Sequence, residues 1–241
     1  MGMSGKKIFF LVLLIVGIVG TLFLSIVLGT GYLLMRGQDV TIQENTTLEV
    51  ALTGSLFELP PENPLAQMFG SGTLSLWELG KALRYAAQDD RVSGVYLEIH
   101  PLLLSWAQIE ELRDSLHSFR TSGKPIHAFL ALDMVRDPEL YLASAADSIT
   151  LNPGATLLVN GLLAEVTFYK GTMEKLGVKP EFMQFKEYKS AESFTRESMT
   201  PEIREMYESI LGDIEERFIS VVVEERDLDE DTMRGILDAG L

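Results

Sequence analysis

The feature that most constrains this chain is an uninterrupted apolar run near its N-terminus. Residues 8–35 contain no charged side chain. As a helix, this run would be roughly 42 Å long at about 1.5 Å per residue, enough to cross a bilayer with some tilt. A cleaved signal peptide has an apolar region of only about 7–15 residues and ends in a small-residue cleavage site, which we do not find before Arg36. The run therefore predicts an uncleaved transmembrane anchor.

Charges at the two ends of this run predict its orientation. Lys6 and Lys7 precede it, whereas Asp39 and Glu44 follow soon after Arg36. Because positive charge is retained on the cytoplasmic side, we expect a cytoplasmic N-terminus and a single-pass protein of the inner (cytoplasmic) membrane. The main domain would then be extracytoplasmic, in the periplasm. The predicted parts of the chain are a cytoplasmic N-terminus at 1–7, an anchor at 8–35, a linker at 36–47 and an α/β domain at 48–241.

The composition beyond the anchor excludes several classes of function. Residues 37–241 carry 35 acidic and 17 basic side chains, a net charge of −18, so nucleic acid would be repelled. Cysteine is absent, which excludes disulfides, thiolate chemistry and cysteine-based zinc sites. His100, His117 and His127 are isolated from one another, and each is expected to have a structural or surface role. We therefore expect no nucleic-acid partner, no metal and no cofactor.

Hydrophobic periodicity predicts strands that alternate with helices. Such alternation with buried apolar strands indicates a layered α/β domain with a largely parallel sheet. Thr200 and Pro201 are typical of a helix start, and Gly123 and Gly240 of helix ends. The predicted strands are 48–52, 95–99, 126–132, 148–151 and 181–185, and the predicted helices are 75–88, 106–119, 138–146, 168–176, 201–225 and 230–239.

Lys189 is the strongest candidate for a catalytic side chain. The sequence has no phosphate loop, no Gly-x-Gly-x-x-Gly and no Gly-x-Ser-x-Gly elbow. A lysine can act as general base only when it is neutral, which requires a pKa lowered by desolvation or by a neighbouring cation. Glu187 and Glu192 would instead hold it charged if they lay close in space. From local spacing alone, a solvated surface charge is the default interpretation.

Three stretches give the chain a resemblance to a known family. They are SGKPI at 122–126, YLASAAD at 141–147 and KEYKSA at 186–191. The first is common in unrelated proteins, whereas the other two in this order and spacing are fairly specific. On these stretches, the chain from Leu48 onward resembles the signal peptide peptidase A (protease IV) family of membrane-anchored serine peptidases. The resemblance implies a Clp protease/crotonase-like fold, a serine–lysine dyad and the role of catalytic base for Lys189.

The chain departs from this family where the other half of the dyad would lie. Asp137 stands about where self-sufficient members carry the nucleophilic serine. After the strand at 95–99, residues 100–104 read HPLLL, where active repeats have a Pro-Gly-Gly-like turn. Without glycine, the backbone is less able to bring its N–H groups to a substrate carbonyl. Ser190 and Ser144 are poor substitutes: Ser190 neighbours the lysine on a strand and would point to the opposite face, and Ser144 is expected to be a helix residue near the sheet.

Double-length family members divide the dyad between two repeats. The first repeat supplies the lysine and the second supplies the serine. The resemblance thus implies that this chain is the N-terminal part of a membrane-bound serine endopeptidase, acting on cleaved signal peptides and other membrane-proximal peptides. The chain stops near where the second repeat would begin, so we expect that repeat to be absent. The resemblance also implies a homo-oligomer, or association with a serine-bearing repeat.

Two other classes of function remain open. A non-catalytic scaffold or regulatory subunit of the same fold would explain the missing serine and the missing glycines. A crotonase-like acyl-coenzyme A enzyme shares the fold, but the expected extracytoplasmic location argues against that cofactor.

Overall fold

The structure is a computed structural model that describes residues 5–35, 41–60, 75–183, 188 and 191–239. It separates into two units, Met1–Ile42 and Gln43–Leu241. The predicted boundaries at 8, 36 and 48 remain predictions, although the first strand already begins at Thr46.

The N-terminal unit contains one long apolar helix, α1 (Gly5–Met35). Its segment Phe9–Gly31 has 23 residues and a mean hydropathy of 3.0, the length and composition of a helix that can cross a membrane. The Thr21 hydroxyl donates to the Gly17 carbonyl at 3.0 Å, which hides a polar group within the helix. A signal sequence near the N-terminus meets the same criteria of length and composition.

The second unit alternates strands with helices, as its sequence predicts. The elements in chain order are β1 (Thr46–Gly54), α2 (Leu76–Gln88), β2 (Val92–Leu102), α3 (Trp106–Arg120), β3 (Ile126–Leu130), β4 (Met134–Arg136), α4 (Asp137–Ala143), β5 (Ser148–Leu151), β6 (Thr156–Leu158), α5 (Lys170–Lys175), α6 (Glu192–Thr195), α7 (Pro201–Arg226) and α8 (Glu230–Ala239).

A four-stranded parallel sheet organises this unit. Its strand order is β1-β2-β3-β5, and one row of paired residues crosses all four strands: Val50, Leu97, Ala128 and Ile149. The predicted α/β domain with a parallel sheet is therefore confirmed. A second, two-stranded parallel sheet of β4 and β6 was not predicted, because strands of three residues are too short to show periodicity.

The core lies on one face of the large sheet. Leu97 and Ala128 on that face are completely buried, and α2 and α3 contribute apolar side chains to the same core. On the opposite face, Tyr96 stacks on His127 with ring centroids 5.7 Å apart, and both side chains are only partly buried. The helix residues that belong to the core include Leu79, Leu83, Leu112 and Leu116.

The stretch 122–126 has a structural role. Gly123 adopts a φ of +79°, which few other residues tolerate, and ends α3 as predicted. The Lys124 ammonium donates to the carbonyls of Ala86 and Asp89, both at 2.7 Å. A cation there satisfies the unpaired carbonyls at the end of α2 and interacts favourably with the helix dipole.

Helix starts are also set by local chemistry. The Ser75 hydroxyl accepts a hydrogen bond from the Glu78 N–H, and the Glu78 carboxylate accepts one from the Ser75 N–H. Ser75 therefore caps α2 rather than forming its first turn. The Thr200 hydroxyl accepts from the Ile203 N–H and caps α7, which begins at Pro201 as predicted. The predicted stop at Gly240 lies outside the described residues.

The predicted strand at 181–185 is wrong over its described part. Residues 181–183 form no strand and all three side chains are exposed; residues 184 and 185 lie outside the described residues. An apolar run becomes a strand only where another strand supplies ladder hydrogen bonds, and none of the described strands pairs with this segment. Three other predicted elements are shorter than expected: β3 ends at Leu130, α4 at Ala143, and α5 covers only Lys170–Lys175.

Gly94 gives a test of this packing. A Cβ at Gly94 would lie 2.8 Å from the Pro125 carbonyl oxygen, which accepts the adjacent N–H of Val95. Gly94→Ala is expected to lower the free energy of unfolding by about 1–3 kcal/mol, because backbone must shift, as measured by denaturant unfolding in detergent. Gly212→Ala is the matched control: nothing lies within 4 Å of its Cβ, so stability should hold or rise. Equal stability of both variants would contradict the close approach.

Candidate active site

The candidate site lies where the parallel strands end. Open α/β sheets bind ligands outside the carboxyl ends of their strands. Here β2 ends at Leu102 and β3 at Leu130, and the chain after β3 passes through β4 to the start of α4 at Asp137. The sequence-predicted position of the missing nucleophile therefore lies at the first residue of a helix beside this edge.

Asp137 is a buried carboxyl group in an unfavourable environment. Its side chain is 7% exposed, and its Oδ1 has no hydrogen-bond partner among the described residues. Burial, together with the negative charges of Glu139 and Glu215, raises the pKa of Asp137 to about 6. Near neutral pH, the desolvated negative charge of Asp137 therefore lowers the free energy of unfolding.

Glu139 holds the edge of the site together. This side chain is completely buried, and its Oε1 accepts from the Leu102 N–H at 3.0 Å and from the Arg136 guanidinium at 2.7 Å. The same guanidinium donates to the Leu102 carbonyl at 3.2 Å. One carboxylate therefore fastens the end of β2 to the start of α4, as buried charges require close partners.

Two backbone amides at the end of β2 are not free to act as oxyanion donors in this conformation. Pro101 has no N–H, the Leu102 N–H donates to Glu139, and the Leu103 N–H donates to the Gly54 carbonyl at 2.8 Å. Stabilising an oxyanion needs free N–H donors aimed at the substrate oxygen. The missing glycines predict the loss of an oxyanion hole. In addition, the amides of Leu102 and Leu103 already donate hydrogen bonds within the protein.

The stretch 141–147 holds the far end of α4. Arg113 is 2% exposed; it donates to the Tyr141 carbonyl and, at 2.7 Å, to the Ser144 hydroxyl. Arg226 donates to the Ser144 carbonyl at 2.9 Å, and Arg120 to the Ala145 carbonyl at 3.3 Å. Three guanidinium groups thus satisfy carbonyls that a helix end leaves unpaired.

Ser144 has no nucleophilic role in this arrangement. It is completely buried just after the last residue of α4. Its hydroxyl donates to the Tyr141 carbonyl at 2.8 Å while accepting from Arg113. Tyr141 is equally fixed, since its hydroxyl donates to Glu110 at 2.7 Å and burial raises its pKa to about 12.

Lys189, the sequence-predicted base, lies outside the described residues, as do Glu187 and Ser190. Two described residues near it in sequence, Phe182 and Ala191, line an open cleft of about 1000 Å³, together with residues 195–201, whereas the adjacent Tyr188 lines a smaller pocket. Lys170 also lines the open cleft, with its ammonium 3.8 Å from Glu174 and 3.9 Å from Glu197. The segment that carries the candidate base is therefore flanked by cleft-lining residues.

Glu192, the second carboxylate near Lys189 in sequence, is engaged elsewhere. It is 6% exposed, and its Oε2 accepts from the Thr200 N–H at 3.1 Å. Its Oε1 lies 3.6 Å from the Arg196 guanidinium. Tyr188 likewise reaches α7, donating to Glu205 at 3.0 Å.

The three histidines lie apart. His117 contacts Glu225 at 3.1 Å, His100 contacts Glu98 at 3.2 Å, and His127 pairs with Ser148 at 2.7 Å. Within the described ranges, no group of three or more histidine or carboxylate side chains is arranged to hold a metal.

Sequence reasoning missed the arginines and the glutamate that shape this site. Arg113 follows Leu112 in the buried stripe of α3, and a charged residue in such a stripe is a signal that could have been used, since unpaired charge is rarely buried. Glu139 gave a weaker signal, because its partner Leu102 is 37 positions away.

Comparisons with known proteins match this chain to proteases. A family model described as peptidase family S49 matches residues 118–239. The chloroplastic serine protease SPPA of Arabidopsis thaliana is 32% identical over 174 residues, covering 72% of this chain and 24% of that protein. Protease 4 of Salmonella typhi is 28% identical over 169 residues, covering 67% and 27%. The chain thus spans about a quarter of the length of the curated relatives it matches.

Solved structures are more distant. A mutant of the 1510-N membrane-bound stomatin-specific protease matches with a TM-score of 0.40 and 10% identity, covering 82% of this chain and 72% of that one. A probable enoyl-CoA hydratase from Mycobacterium thermoresistibile matches with a TM-score of 0.33 and 19% identity, covering 83% and 84%.

Asp137→Asn tests the cost of the buried carboxylate. Its folded-state pKa of about 6 lies above the ordinary value of 3.8, so the cost is absent below pH 3.8, grows as pH rises and is complete above pH 6. The variant is expected to be more stable than the parent by about 3 kcal/mol at pH 7, with no difference near pH 3.5, as measured by denaturant unfolding in detergent. Asp133→Asn, at an exposed neighbour, should change nothing at either pH. A pH-independent effect of Asp137→Asn would contradict the assignment.

Proposed function

Because this chain belongs to peptidase family S49, we propose that it is the N-terminal part of a membrane-bound serine endopeptidase that uses a serine–lysine dyad. Its contribution is the general base Lys189, and the nucleophilic serine comes from another segment or another chain. The substrates are cleaved signal peptides and other membrane-proximal peptides. The helix α1 anchors the protein in the cytoplasmic membrane, with the N-terminus cytoplasmic and the catalytic domain on the far side.

One observation carries the division of labour. At the edge of the sheet where a self-sufficient member would hold serine and an oxyanion turn, this chain has the buried Asp137 and backbone amides already bonded to Glu139 and Gly54. An ionised carboxylate only accepts hydrogen bonds and cannot supply the hydroxyl proton that a lysine base removes. The described part of this edge therefore supports a site in which this chain provides the general base and another segment or chain provides the nucleophilic serine.

The chemistry then follows from the proton on the lysine. Neutral Lys189 accepts the proton of the serine hydroxyl as its oxygen attacks the peptide carbonyl, forming a tetrahedral intermediate. The resulting ammonium returns that proton to the leaving amine, which leaves an acyl-enzyme. A water then gives a proton to the lysine as its oxygen attacks the ester. The ester C–O bond breaks, the lysine returns the proton to the serine oxygen, and the acid product is released. Desolvation by the partner repeat and the bound peptide would lower the lysine pKa and so keep it neutral.

The cleft beside the lysine segment supports a peptide substrate. Its described lining includes Phe182, Ala191 and residues 195–201, and an extended peptide needs an open groove rather than a closed cavity. The curated relatives are about four times as long as the stretch they share with this chain, which leaves room in such proteins for a serine-bearing repeat. We infer association with such a repeat, or with further copies of this chain.

The same observation gives a second candidate. A chain that lacks a nucleophile and free oxyanion amides could act only as a scaffold or regulatory subunit for related peptidases. The two candidates differ in whether Lys189 takes part in proton transfer, so they can be separated by substitution and by active-site labelling.

Lys189→Ala in the complete, serine-bearing enzyme is expected to lower kcat/KM for a peptide substrate by at least about 10²-fold, because the general base is lost. Lys189→Arg should fail to the same degree, since a guanidinium stays charged and cannot accept a proton. Activity is measured by release of a fluorogenic peptide product, with Lys175→Ala, at an exposed lysine of α5, as the control that keeps activity. Substantial activity of Lys189→Arg would remove the base from its proposed role and leave the scaffold.

A fluorophosphonate probe tests where the nucleophile resides. This chain alone is expected to remain unlabelled, because no serine in it is activated, whereas a serine-bearing partner repeat should be labelled only when Lys189 is intact. The readout is in-gel fluorescence. Labelling of the isolated chain would refute the shared site, and labelling of the partner with Lys189→Ala present would refute the base.

A further inference from the structure

The outer side of α2 carries an exposed aromatic surface that the peptidase chemistry does not use. We define this α2 surface by five side chains: Phe57, Leu59, Trp77, Lys81 and Tyr85. Phe57 is 68% exposed, Leu59 66%, Trp77 47% and Tyr85 64%. The inner side of the same helix supplies the core residues, so these side chains are not needed to hold the domain together.

The local structure holds this surface as one patch. Trp77, Lys81 and Tyr85 are four residues apart and therefore lie on one side of the helix. The loop before α2 is bonded to its first turn, since the Leu76 N–H donates to the Phe57 carbonyl at 2.8 Å and the Trp77 N–H to the Glu58 carbonyl at 3.2 Å. The apolar side chains of the loop thus adjoin the aromatic side of the helix.

The chemistry of the surface is that of a membrane interface. The Lys81 ammonium lies 5.1 Å from the Trp77 ring centroid and 5.7 Å from that of Tyr85. Tryptophan and tyrosine are enriched where headgroups meet acyl chains, because each combines an apolar ring with a polar atom. Lysine suits the same layer, since its stem lies along apolar surface while its ammonium reaches the headgroups.

Charge also favours this side of the domain. Lys81 and the exposed Arg84 balance Glu58 and Glu78 here, whereas residues 37–241 as a whole carry −18. An anionic lipid surface repels acidic protein surface within about a Debye length. An anionic bilayer therefore repels the α2 surface only weakly, and apolar contacts can hold this surface against the bilayer.

The short connection between α1 and β1 keeps the membrane close to the domain that carries the α2 surface. Residues 36–45 join the end of α1 at Met35 to β1 at Thr46, and so short a segment spans at most about 40 Å. A bilayer crossed by Phe9–Gly31 is then always within reach of the domain, which gives even a weak surface contact a high effective concentration.

We propose that the α2 surface rests in the headgroup layer of the membrane that anchors α1, and that this contact orients the domain over the bilayer. The proposal rests on the membrane anchoring inferred above. The partner is a phospholipid surface, with Trp77, Tyr85, Phe57 and Leu59 inserted at the boundary of headgroups and acyl chains and Lys81 paired with lipid phosphate.

The two tryptophans of the chain provide a matched test. Trp77 belongs to the α2 surface, whereas Trp106 is partly buried against Tyr141 and Phe218, at centroid distances of 5.5 and 6.5 Å. The full chain is reconstituted into phosphatidylcholine and phosphatidylglycerol vesicles with and without acyl chains brominated near the headgroup. The Trp106→Phe variant then reports Trp77 alone, and the Trp77→Phe variant reports Trp106 alone.

Brominated lipid is expected to lower the emission of the Trp106→Phe variant by about half, as for an interfacial tryptophan, and to leave the Trp77→Phe variant unchanged. If Trp106→Phe fails to fold, the difference between the parent chain and Trp77→Phe gives the same quantity. The double substitution Phe57→Ser and Tyr85→Ser should reduce the quenching of Trp77, because the surface then loses apolar area.

Three results would overturn the proposal, each in a different way. If brominated lipid does not quench Trp77 but acrylamide in solution does, the Trp77 ring faces water. Trp77 that is shielded from both quenchers is covered by protein, such as a second copy of this chain. A chain that does not float with the vesicles lacks the anchor itself, which would also remove the membrane part of the proposed function.

Discussion

The hydrogen bonds of the buried Arg113 guanidinium are the interactions on which the rest of the domain depends. A cation that is almost fully removed from water must find partners of opposite polarity. Arg113 finds them in the carbonyl of Tyr141 and the hydroxyl of Ser144, with Glu225 of α7 at 3.8 Å. One side chain of α3 thus fixes both the end of α4 and the side of α7, and the start of α4 follows from its end. The specific stretch at 141–147 is therefore architectural rather than catalytic.

Two further features depend on where α4 begins. The buried Asp137 is the first residue of that helix, and Glu139, one turn inside, reaches across to Leu102 at the end of β2. The described part of the candidate site at this edge is therefore shaped by the placement of α4. The proposed function accordingly takes the reactive hydroxyl from another segment or another chain.

Much of the fold could be predicted from the sequence because its signals are local. The strand at 148–151 and the helix at 230–239 have the predicted bounds, and the cap at Thr200 has the predicted chemistry. The failures have non-local causes. The segment 181–183 contains Phe182 and Met183 but has no strand to pair with among the described strands. The pairing of β4 with β6 joins residues that are far apart in sequence.

The site was less predictable than the fold. Asp137 could be picked out only through a family resemblance, and its burial depends on tertiary packing that no sequence spacing reveals. Glu139 and Arg113 are ordinary charged residues in the sequence and acquire their roles through partners on other elements. Lys189 remains a prediction, since it lies outside the described residues.

The bond between Glu139 and the Leu102 amide has an evolutionary consequence. A mutation of Asp137 to serine would bring back a hydroxyl at the start of α4, but the neighbouring amides would still be occupied, so the new hydroxyl would have no support for the charge that it creates. Freeing the amide alone, by removing the Glu139 carboxylate, would leave the Arg136 guanidinium without its partner and would supply no nucleophile. Neither step is advantageous without the other. Under the proposed function, a return to a self-sufficient site in such a chain would therefore require both changes together.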